Sequence, residues 1–470
     1  MAALEPGMEI DGFRLEAKMP SGGMASLWRA SHPDFPHPVV LKVPFLDPGE
    51  DSSVIIGYEV ETMILKRLSG PHVPRYCGSG DLARIPYIAM EFVEGTSLAS
   101  LTGEPQPAEE VARIGGLVAR ALGAIHRQGV AHLDLKPENV ILAGRGAVLL
   151  DFGLARHAEL PDLLGEESSV PMGTPAYIAP EQVLGERSDP ASDIFALGAI
   201  LYQLATGIEP FGRPATTAGM KRRLYHAPED PRSVNASVPH WLETVILNCL
   251  EVDRSRRYAD ASSVLFDLTN PDQVVLRRGK PASRGFLERL TAWFRKVDER
   301  ALTGQRAVKH RVVAPSVILA AVDLAHGSDA LAEEVRGEAM RLLSYRPDSR
   351  LACVSVIKTE IIRETPDRDA EGRSTYVSRL VLLKDWARPI GLSDDRLSYH
   401  VVEAVSPADA LLRYAERNDV GHIVLGARAS SAMRRHLGSV STQVVAEALC
   451  SVSVVRIKQV EVQARADVPA

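Results

Sequence analysis

The sequence predicts an α+β domain followed by a separate α/β domain that is built on a parallel sheet. Three observations support this prediction. Strand-like segments dominate up to about Pro71, long helical patterns run from Ala108 to about Asn270, and apolar strands alternate with helices after residue 312. A chain of 470 residues is also too long for one ordinary hydrophobic core, so two or three domains are expected.

The first part of the chain is predicted to form a small sheet that carries one helix. The segments FRLEAKM, ASLWRASH and PVVLKVPF are separated by glycine, proline and serine, which is typical of strands joined by turns. Apolar residues recur at helical spacing in YEVETMILKRL, which indicates an amphipathic helix.

A mainly helical part follows, and the join falls near EFVEGTSL. The long helical patterns are AEEVARIGGLVARALGAIHRQG, DIFALGAILYQLATG and HWLETVILNCLEV. Residues 273–311 are then predicted to be a basic linker around one short amphipathic helix, whose apolar face holds Phe286, Leu290, Trp293 and Val297. Such a helix can lie on an anionic membrane surface, but its shortness favours packing against a neighbouring domain.

Residues 312–460 are predicted to form the α/β domain, with residues 461–470 as a tail. The apolar segments VILAAVDL, LACVSVIK, SYHVVEAV, HIVLGAR and SVSVVRIK alternate with helical patterns. Continuous apolar strands of this kind indicate a parallel sheet that is covered on both faces. The segment TPDRDAEGRSTYVS, residues 365–378, is predicted to be a surface insertion without chemistry.

The composition argues against several classes of protein. With 45% hydrophobic residues, 24% charged residues and a net charge of −6, the chain is typical of globular domains and suggests no nucleic-acid partner. The four cysteines form no Cys-x-x-Cys spacing, which fits free thiols in a reducing compartment. No stretch approaches the roughly 20 apolar residues of a transmembrane segment, and no signal-peptide pattern is present, so we expect a cytoplasmic protein.

Two charged residues of the first domain lie in apolar surroundings. Lys42 interrupts the strand VVLKV, and Glu61 lies on or beside the apolar stripe of the helix that follows. Each would be costly to bury alone, so we expect them to pair, which would leave the ammonium positioned to hold a polyphosphate. A buried pair of this kind can also be purely architectural.

The strongest signal for chemistry is the segment AHLDLKPENVIL, residues 131–142, together with DFG at residues 151–153. Asp134 could accept a proton from an attacking hydroxyl, and Lys136 could neutralise a transferred group. Asn139 and Asp151 offer the oxygen ligands that Mg²⁺ prefers. Upstream, Gly22 and Gly23 form a glycine turn that lets backbone N–H groups approach phosphates, although such turns between strands are common.

In this order and spacing, the motifs of residues 8–272 resemble those of a eukaryotic-like serine/threonine protein kinase of the bacterial type. VVLKV resembles the lysine strand, MEFVEG the hinge, HLDLKPEN the catalytic loop, and GTPAYIAPE a serine/threonine-type substrate loop. The resemblance implies a bilobal α+β fold, with an N-lobe at about residues 8–93 and a C-lobe at about residues 94–272.

The resemblance also implies roles for individual residues. Asp134 would be the catalytic base and Lys136 a phosphate contact, whereas Asn139 and Asp151 would bind Mg²⁺ or Mn²⁺. The ATP site would comprise Lys42 with its partner Glu61, the turn at Gly22 and Gly23, Met90 behind the adenine, and backbone groups of Glu91 and Val93. Three further contacts would be structural: Thr174 with the catalytic aspartate and lysine, Asp193 with the catalytic loop, and Arg257 with Glu181.

Two departures from the family pattern bear on the function. In the glycine-rich loop, Pro20 and Ala25 replace two of the expected glycines, which removes no charged group. In the catalytic loop, Leu133 replaces the arginine that grips a phosphorylated activation segment, and leucine cannot bind a phosphate. We therefore expect an active kinase that does not depend on phosphate docking onto that arginine, with Ser168 and Ser169 as candidate phosphate acceptors.

The carboxy-terminal domain resembles the universal stress protein family, on AAVDLAHGSDAL and VLGARASSAMRRHLGSVSTQVVAEALCSVSVV. The resemblance implies that Asp323 contacts adenine and that Gly426, Gly438, Ser439 and Ser441 hold ATP phosphates at a helix N-terminus. Ala429 replaces an expected glycine. The alternative without nucleotide binding is that Gly426 simply ends a strand and Gly438 starts a helix. Family members often pair through their last strand, which implies a homodimer.

Three functions are compatible with these motifs. The first is ATP-dependent phosphorylation of serine or threonine on protein substrates, including the chain itself. In that case the second domain would regulate the kinase, sense a nucleotide, dimerise or recruit substrates, and the sequence does not choose among these roles. The second is a pseudokinase or nucleotide-binding scaffold, but Lys42, Glu61, Asp134, Asn139 and Asp151 are all present. The third is phosphate transfer to a small molecule, which GTPAYIAPE disfavours because it resembles protein-substrate loops. The sequence predicts the first.

Overall fold

The computed structural model describes residues 4–46, 52–144, 146–168, 170–276, 316–325, 329–359, 374–427 and 438–457. These residues form two compact units, whose described parts run from Leu4 to Leu276 and from Ser316 to Ile457. Most of the predicted linker with its helix, Ser169, Ala429 and the tail lie outside the described residues. None of the described helices combines the length and the apolar character needed to cross a membrane.

The first unit begins with an antiparallel sheet of six strands in the order β1-β2-β3-β4-β6-β5. Their bounds are β1 Glu9–Ile10, β2 Phe13–Met19, β3 Ala25–His32, β4 Phe35–Pro44, β5 Tyr76–Ser79 and β6 Ile88–Glu91. Helix α1, Ser52–Leu65, follows β4. One face of the sheet packs into a core with Phe13, Leu15, Trp28 and Leu41, so the predicted sheet with one helix is confirmed.

The rest of the first unit is mainly helical, as predicted. Its α-helices are α2 Ala108–His126, α3 Leu163–Glu167, α4 Pro180–Val183, α5 Ala191–Thr206, α6 Thr217–Lys221, α7 Pro231–Val234, α8 His240–Cys249 and α9 Ala261–Thr269. Helix α2 buries Val111, Ile114, Val118, Leu122 and Ile125 completely. That spacing of three and four residues is the apolar stripe expected of an amphipathic helix.

Short strands within this helical part place the loops that carry chemistry. Strands β7 Thr96–Ser97, β9 Val140–Ala143 and β10 Gly146–Leu149 form one sheet, and β8 Val130–Ala131 pairs with β11 Arg156–His157. The loop at residues 132–139 therefore connects β8 to β9, and residue 151 lies two positions after the end of β10. Because β9 and β10 are antiparallel neighbours, both polar segments emerge at the same end of this small sheet.

The second unit is a parallel sheet of five strands in the order β14-β13-β12-β15-β16. The strands are β12 Val317–Ala321, β13 Arg350–Lys358, β14 Leu397–Ala404, β15 Val420–Gly426 and β16 Ser451–Val455, and the helices are α10 Ala330–Tyr345, α11 Thr375–Ala387, α12 Pro407–Arg417 and α13 Ser439–Glu447. One core contains Ile318 and Trp386, and the other contains Leu319 and Tyr414. The predicted coverage of both sheet faces is confirmed.

The predicted surface insertion at residues 365–378 is wrong for residues 374–378, and its other residues lie outside the described part of the chain. The described end of the segment 365–378 is the first turn of α11 and not a surface insertion, and Tyr376 and Val377 are buried there. Trp386, at the other end of α11, donates from Nε1 to the carbonyl of Ala332 at 2.8 Å. The polar residues that precede the helix hid its apolar face from the sequence pattern.

Candidate active site

Lys42 of β4 lies between two carboxylates. Its Nζ is 2.6 Å from Oε2 of Glu61 on α1 and 2.8 Å from Oδ1 of Asp151, which follows β10. Glu61 is 2% exposed, whereas the side chain of Asp151 is 43% exposed. The predicted contact between Lys42 and Glu61 is therefore present. Asp151, 109 positions after Lys42, also contacts Lys42.

The charges of this triad depend on each other. Burial disfavours the ammonium of Lys42, but Glu61 and Asp151 outweigh it and raise the pKa of Lys42. Burial also favours a neutral Asp151, yet Lys42 lowers the pKa of that carboxyl to about 2. Burial raises the pKa of Glu61, and Lys42 opposes this effect. Asp151 is thus an anion at neutral pH, with one oxygen on Lys42.

Asp134 lies in the loop between β8 and β9, and three groups fix its carboxylate. Its Oδ1 accepts hydrogen bonds from the backbone N–H of Thr174 at 2.8 Å and from Oγ1 of Thr174 at 2.7 Å. Nζ of Lys136 is 3.2 Å from Oδ2 of Asp134. The predicted contact of Thr174 with Asp134 is confirmed, and Lys136 binds the other oxygen of that carboxylate. Asn139 donates from Nδ2 to the carbonyl of Asp134 at 3.0 Å.

A buried carboxylate, Asp193 of α5, holds the backbone of this loop. It accepts hydrogen bonds from the N–H groups of His132 and Leu133, and from Nε2 of His126, all at 2.8 Å. Burial alone would raise the pKa of Asp193, but the bonds from His126 and His132 lower it. The predicted contact of Asp193 with the catalytic loop is confirmed.

Leu133 has a strained backbone. Its φ of 62° lies in the left-handed region, which is uncommon for a branched residue. The carbonyl of Leu133 accepts a hydrogen bond from Nε2 of Gln182 at 2.8 Å. Contacts at both its N–H and its carbonyl thus stabilise this conformation, while its side chain is buried. Asp151 has the same φ of 62°.

The end of the segment after residue 151 is anchored by Glu181 of α4 and Arg257. Nη1 and Nη2 of Arg257 donate to the two oxygens of Glu181, each at 2.7 Å, and both side chains are completely buried. Ser192 donates to the same carboxylate at 2.7 Å. Burial would raise the pKa of Glu181, but Arg257 lowers it. The predicted pair is confirmed.

The other predicted residues of the first unit lie in or next to the strands of its six-stranded sheet. Gly22 and Gly23 are exposed between β2 and β3, and a Cβ at either would meet nothing within 4 Å. Met90 and Glu91 end β6, and the N–H of Glu91 donates to the carbonyl of Arg75 at 2.9 Å. Val93 follows two residues later.

The predicted residues of the second unit fall at the carboxyl ends of two neighbouring strands and at the start of α13. Asp323 follows β12 and is exposed, and Gly426 ends the neighbouring strand β15. A Cβ at Gly426 would lie 2.6 Å from Cγ of Leu331, so close packing of α10 explains this glycine. Gly438 precedes α13 at Ser439, and the buried Ser441 donates to the carbonyl of Gly438 at 3.1 Å.

Sequence reasoning missed His126 and Gln182, which both support the catalytic loop. His126 contacts a residue 67 positions away, and Gln182 contacts one 49 positions away. Neither residue has a local pattern that reveals such a partner. Gln182 could have been suspected only from its place within α4, beside Glu181.

The bilobal arrangement and the Lys42 and Asp134 sites define a protein of the kinase class. A family model, "Protein kinase domain", matches residues 13–266, which is more than half of the chain. The chain therefore belongs to the protein kinase domain family, whose members use ATP and a divalent metal ion. Residues 316–456 match the model "Universal stress protein family", so the second unit is a domain of that type.

Relatives among curated proteins carry serine/threonine kinase names. The chain is 30% identical to serine/threonine-protein kinase Pkn1 of Myxococcus xanthus, over 60% of this chain and 42% of that protein. It is 29% identical to PknL of Mycobacterium bovis, over 65% of this chain and 78% of that protein. The chain thus spans less than half of the first relative. Among solved structures, the PknI kinase domain of Mycobacterium tuberculosis is 23% identical, with a TM-score of 0.46, over 57% of this chain and 99% of that chain.

Proposed function

We propose that the protein is an ATP-dependent serine/threonine protein kinase that phosphorylates protein substrates, including itself. The observation that carries the proposal is the position of Lys42, which contacts both Glu61 and Asp151. A lysine in this arrangement is ready to bind the α- and β-phosphates of ATP. The serine/threonine kinase names of Pkn1 and PknL agree with this class of substrate.

In the proposed reaction, the hydroxyl oxygen of the substrate forms a bond to the γ-phosphorus of ATP, and ADP leaves with the bridging oxygen. Asp134 accepts the hydroxyl proton, and Lys136 lies beside it to neutralise charge on the transferred group. The Thr174 bonds keep Asp134 oriented. Because positioning contributes much of the catalysis in phosphate transfer, these bonds are as important as the base itself.

We assign the divalent metal, Mg²⁺ or Mn²⁺, to Asn139 and Asp151. Asp151 fits such a cation because it is charged, half-exposed and bonded to Lys42 through only one oxygen in the described contacts. Asn139 uses its amide nitrogen on the carbonyl of Asp134, which leaves the amide oxygen for the metal. Mg²⁺ commonly binds one or two such protein oxygens together with phosphates. When bound, the metal would neutralise phosphate charge.

We place the adenine of ATP against the strand end at Glu91 and Val93, with their backbone groups as its hydrogen-bond partners. The turn at Gly22 and Gly23 would cover the phosphates. The role of the turn is supported by the absence of side chains at the two glycines and by the open space where a Cβ would lie at each. The backbone there can approach a ligand closely.

The test of the proposal compares the full chain with its Asp134→Asn variant in labelled ATP and magnesium, followed by phosphosite mapping. We expect the variant to lose at least 100-fold in phosphate transfer, about the contribution of a general base. Asp34→Asn, an exposed aspartate of the first unit, is the matched control. Equal labelling by wild type and Asp134→Asn would show that the domain is a nucleotide-binding scaffold or uses another base.

We further propose that this kinase is active without phosphate on its activation segment. The support is that Leu133 offers no charge, while Thr174 and Gln182 already join that segment to the catalytic loop. The variant in which Ser168 and Ser169 are both alanine should keep activity within about threefold. A folded double variant without activity would contradict this proposal.

We propose that the second domain is regulatory and that two copies of it pair through β16. We also propose that the protein is cytoplasmic. β16 is one of the two edge strands of the sheet, and the four cysteines are free, which fits a reducing compartment. Sedimentation of the full chain as monomer only would refute the pairing.

Packing explains Gly426 and Ser441, so nucleotide binding in the second domain rests on Asp323, Gly438 and Ser439. Equilibrium dialysis with ADP compares the full chain with its Asp323→Ala variant. Two bound ADP in wild type and one in the variant would support this site, whereas equal numbers would contradict it.

A further inference from the structure

Arg223 is a buried cation in the 3₁₀-helix Arg222–Leu224 that follows α6. It is 2% exposed and is the largest fully buried side chain of the described residues. Burial lowers its pKa to about 10, so it stays charged at neutral pH. Its described partners are three backbone carbonyls and the ring of Phe211, whose centroid is 5.0 Å from the guanidinium carbon.

Two of these carbonyls belong to the segment 174–178, which resembles a protein-substrate loop. Nη1 of Arg223 donates to the carbonyl of Ile178, and Nη2 donates to the carbonyl of Pro175 at 2.5 Å. Nε donates to the carbonyl of Met220 at 3.0 Å, which joins the guanidinium to the preceding helix α6. The rigid fork of the guanidinium thus spans both ends of the segment.

The same segment is fixed on its catalytic side as well. Thr174, its first residue, binds Asp134, and the hydroxyl of the buried Tyr177 donates to Gln203 at 2.6 Å. Within the segment, the N–H groups of Tyr177 and Ile178 both donate to the carbonyl of Thr174 at 2.9 Å. These bonds shape the turn, whereas Arg223 joins the carbonyls of Pro175 and Ile178 to the neighbouring α6 through Met220. Without Arg223, the turn would lose this attachment.

A role in filling space does not account for a charge at this position. An apolar side chain of similar volume would pack without the desolvation cost of a cation. A cation bonded to carbonyls instead specifies where those carbonyls lie. We propose that Arg223 is a positioning residue that holds the segment 174–178 in the shape to which protein substrates bind. This inference rests on the proposed kinase function.

The experiment measures steady-state kinetics of the full chain with ATP and with dephosphorylated casein or a serine/threonine peptide library as the phosphate acceptor. The variants are Arg223→Met, which keeps the volume, and Arg223→Lys, which keeps the charge but not the fork. Arg213→Met is the matched control, because Arg213 is 81% exposed and pairs with Glu209 on the surface.

We expect Arg223→Met to raise the KM for the acceptor about tenfold and to leave the KM for ATP within twofold. Arg223→Lys should recover part of this loss, and Arg213→Met should match wild type. If Arg223 had a purely structural role, the substitution would reduce the fraction of folded protein. The apparent kcat would then fall while both KM values stayed unchanged, and that result would overturn the inference. If Arg223→Met does not fold, unchanged acceptor KM in Arg223→Lys overturns it instead.

The two proposals fail in different ways. If wild type transfers phosphate to none of the acceptors, the proposed kinase function is wrong, and the role of Arg223 falls with it. If wild type is active and the Arg223 variants share its KM values, only the positioning role is wrong.

Discussion

Replacing Arg257 by methionine is expected to destabilise the first unit by about 3–5 kcal/mol. The magnitude follows from what the change leaves behind. Glu181 is completely buried and would keep only the bond from Ser192, so an uncompensated carboxylate would remain in the core. The carbonyls of Ala191, Glu251 and Val252 would lose their donor as well.

The assay is thermal and urea unfolding of the full chain at pH 7.5, with the transition of each unit followed separately. A loss of this size corresponds to a fall of roughly 6–20 °C in the Tm of the first unit. Arg254→Met is the matched control: Arg254 pairs with Asp189 at 2.7 Å, but its side chain is 30% exposed. Partly exposed pairs contribute about 1 kcal/mol or less.

The pH dependence gives an independent check. Arg257 holds the pKa of Glu181 below its unfolded value of 4.5, so the pair stabilises the fold above that pH. This contribution is lost as the pH falls through the folded pKa. The difference between wild type and Arg257→Met should therefore shrink in acid. A difference below 1 kcal/mol at pH 7.5, or one that grows as the pH falls, would refute the reasoning.

Two further predictions follow from the packing and from the catalytic loop. Gly426→Ala should destabilise the second unit by about 1–3 kcal/mol, because its Cβ would lie 2.6 Å from Leu331. The control Gly337→Ala has open space around the new Cβ and should cause no loss of stability. Equal effects of the two substitutions in calorimetry would contradict the packing argument. Asp193→Asn should lower kcat at least tenfold, since the amide cannot accept hydrogen bonds from His126 and from both N–H groups of the loop at once. Unchanged kcat in a folded variant would show that the loop keeps its conformation without this carboxylate.

Local patterns predicted much of the fold because local rules decide it. The segments FRLEAKM and ASLWRASH coincide with β2 and β3, since turns and apolar alternation fix a strand within a few residues. The pairing of Lys42 with Glu61 was also predictable, because two charges in apolar segments each need a partner.

The remaining contacts could not be predicted because their partners are distant in the chain. His126 binds Asp193, and Gln182 binds the carbonyl of Leu133, over 67 and 49 residues. Arg223 gave no signal, since a surface arginine and one buried against carbonyls look alike in sequence. The first turn of α11 was missed because the polar residues that precede the helix hid its apolar face.

The pair between Glu181 and Arg257 also orders events during synthesis of the chain. The ribosome makes Glu181 76 residues before its partner, after Lys42, Glu61, Asp134 and Asp151 have already been added. Until Arg257 emerges from the ribosome, folding of the helical part of the first unit would bury the carboxylate of Glu181 without a cation beside it. We therefore expect a chain truncated before Arg257 to carry every predicted catalytic residue of the first unit and yet lack the stable fold that would position them.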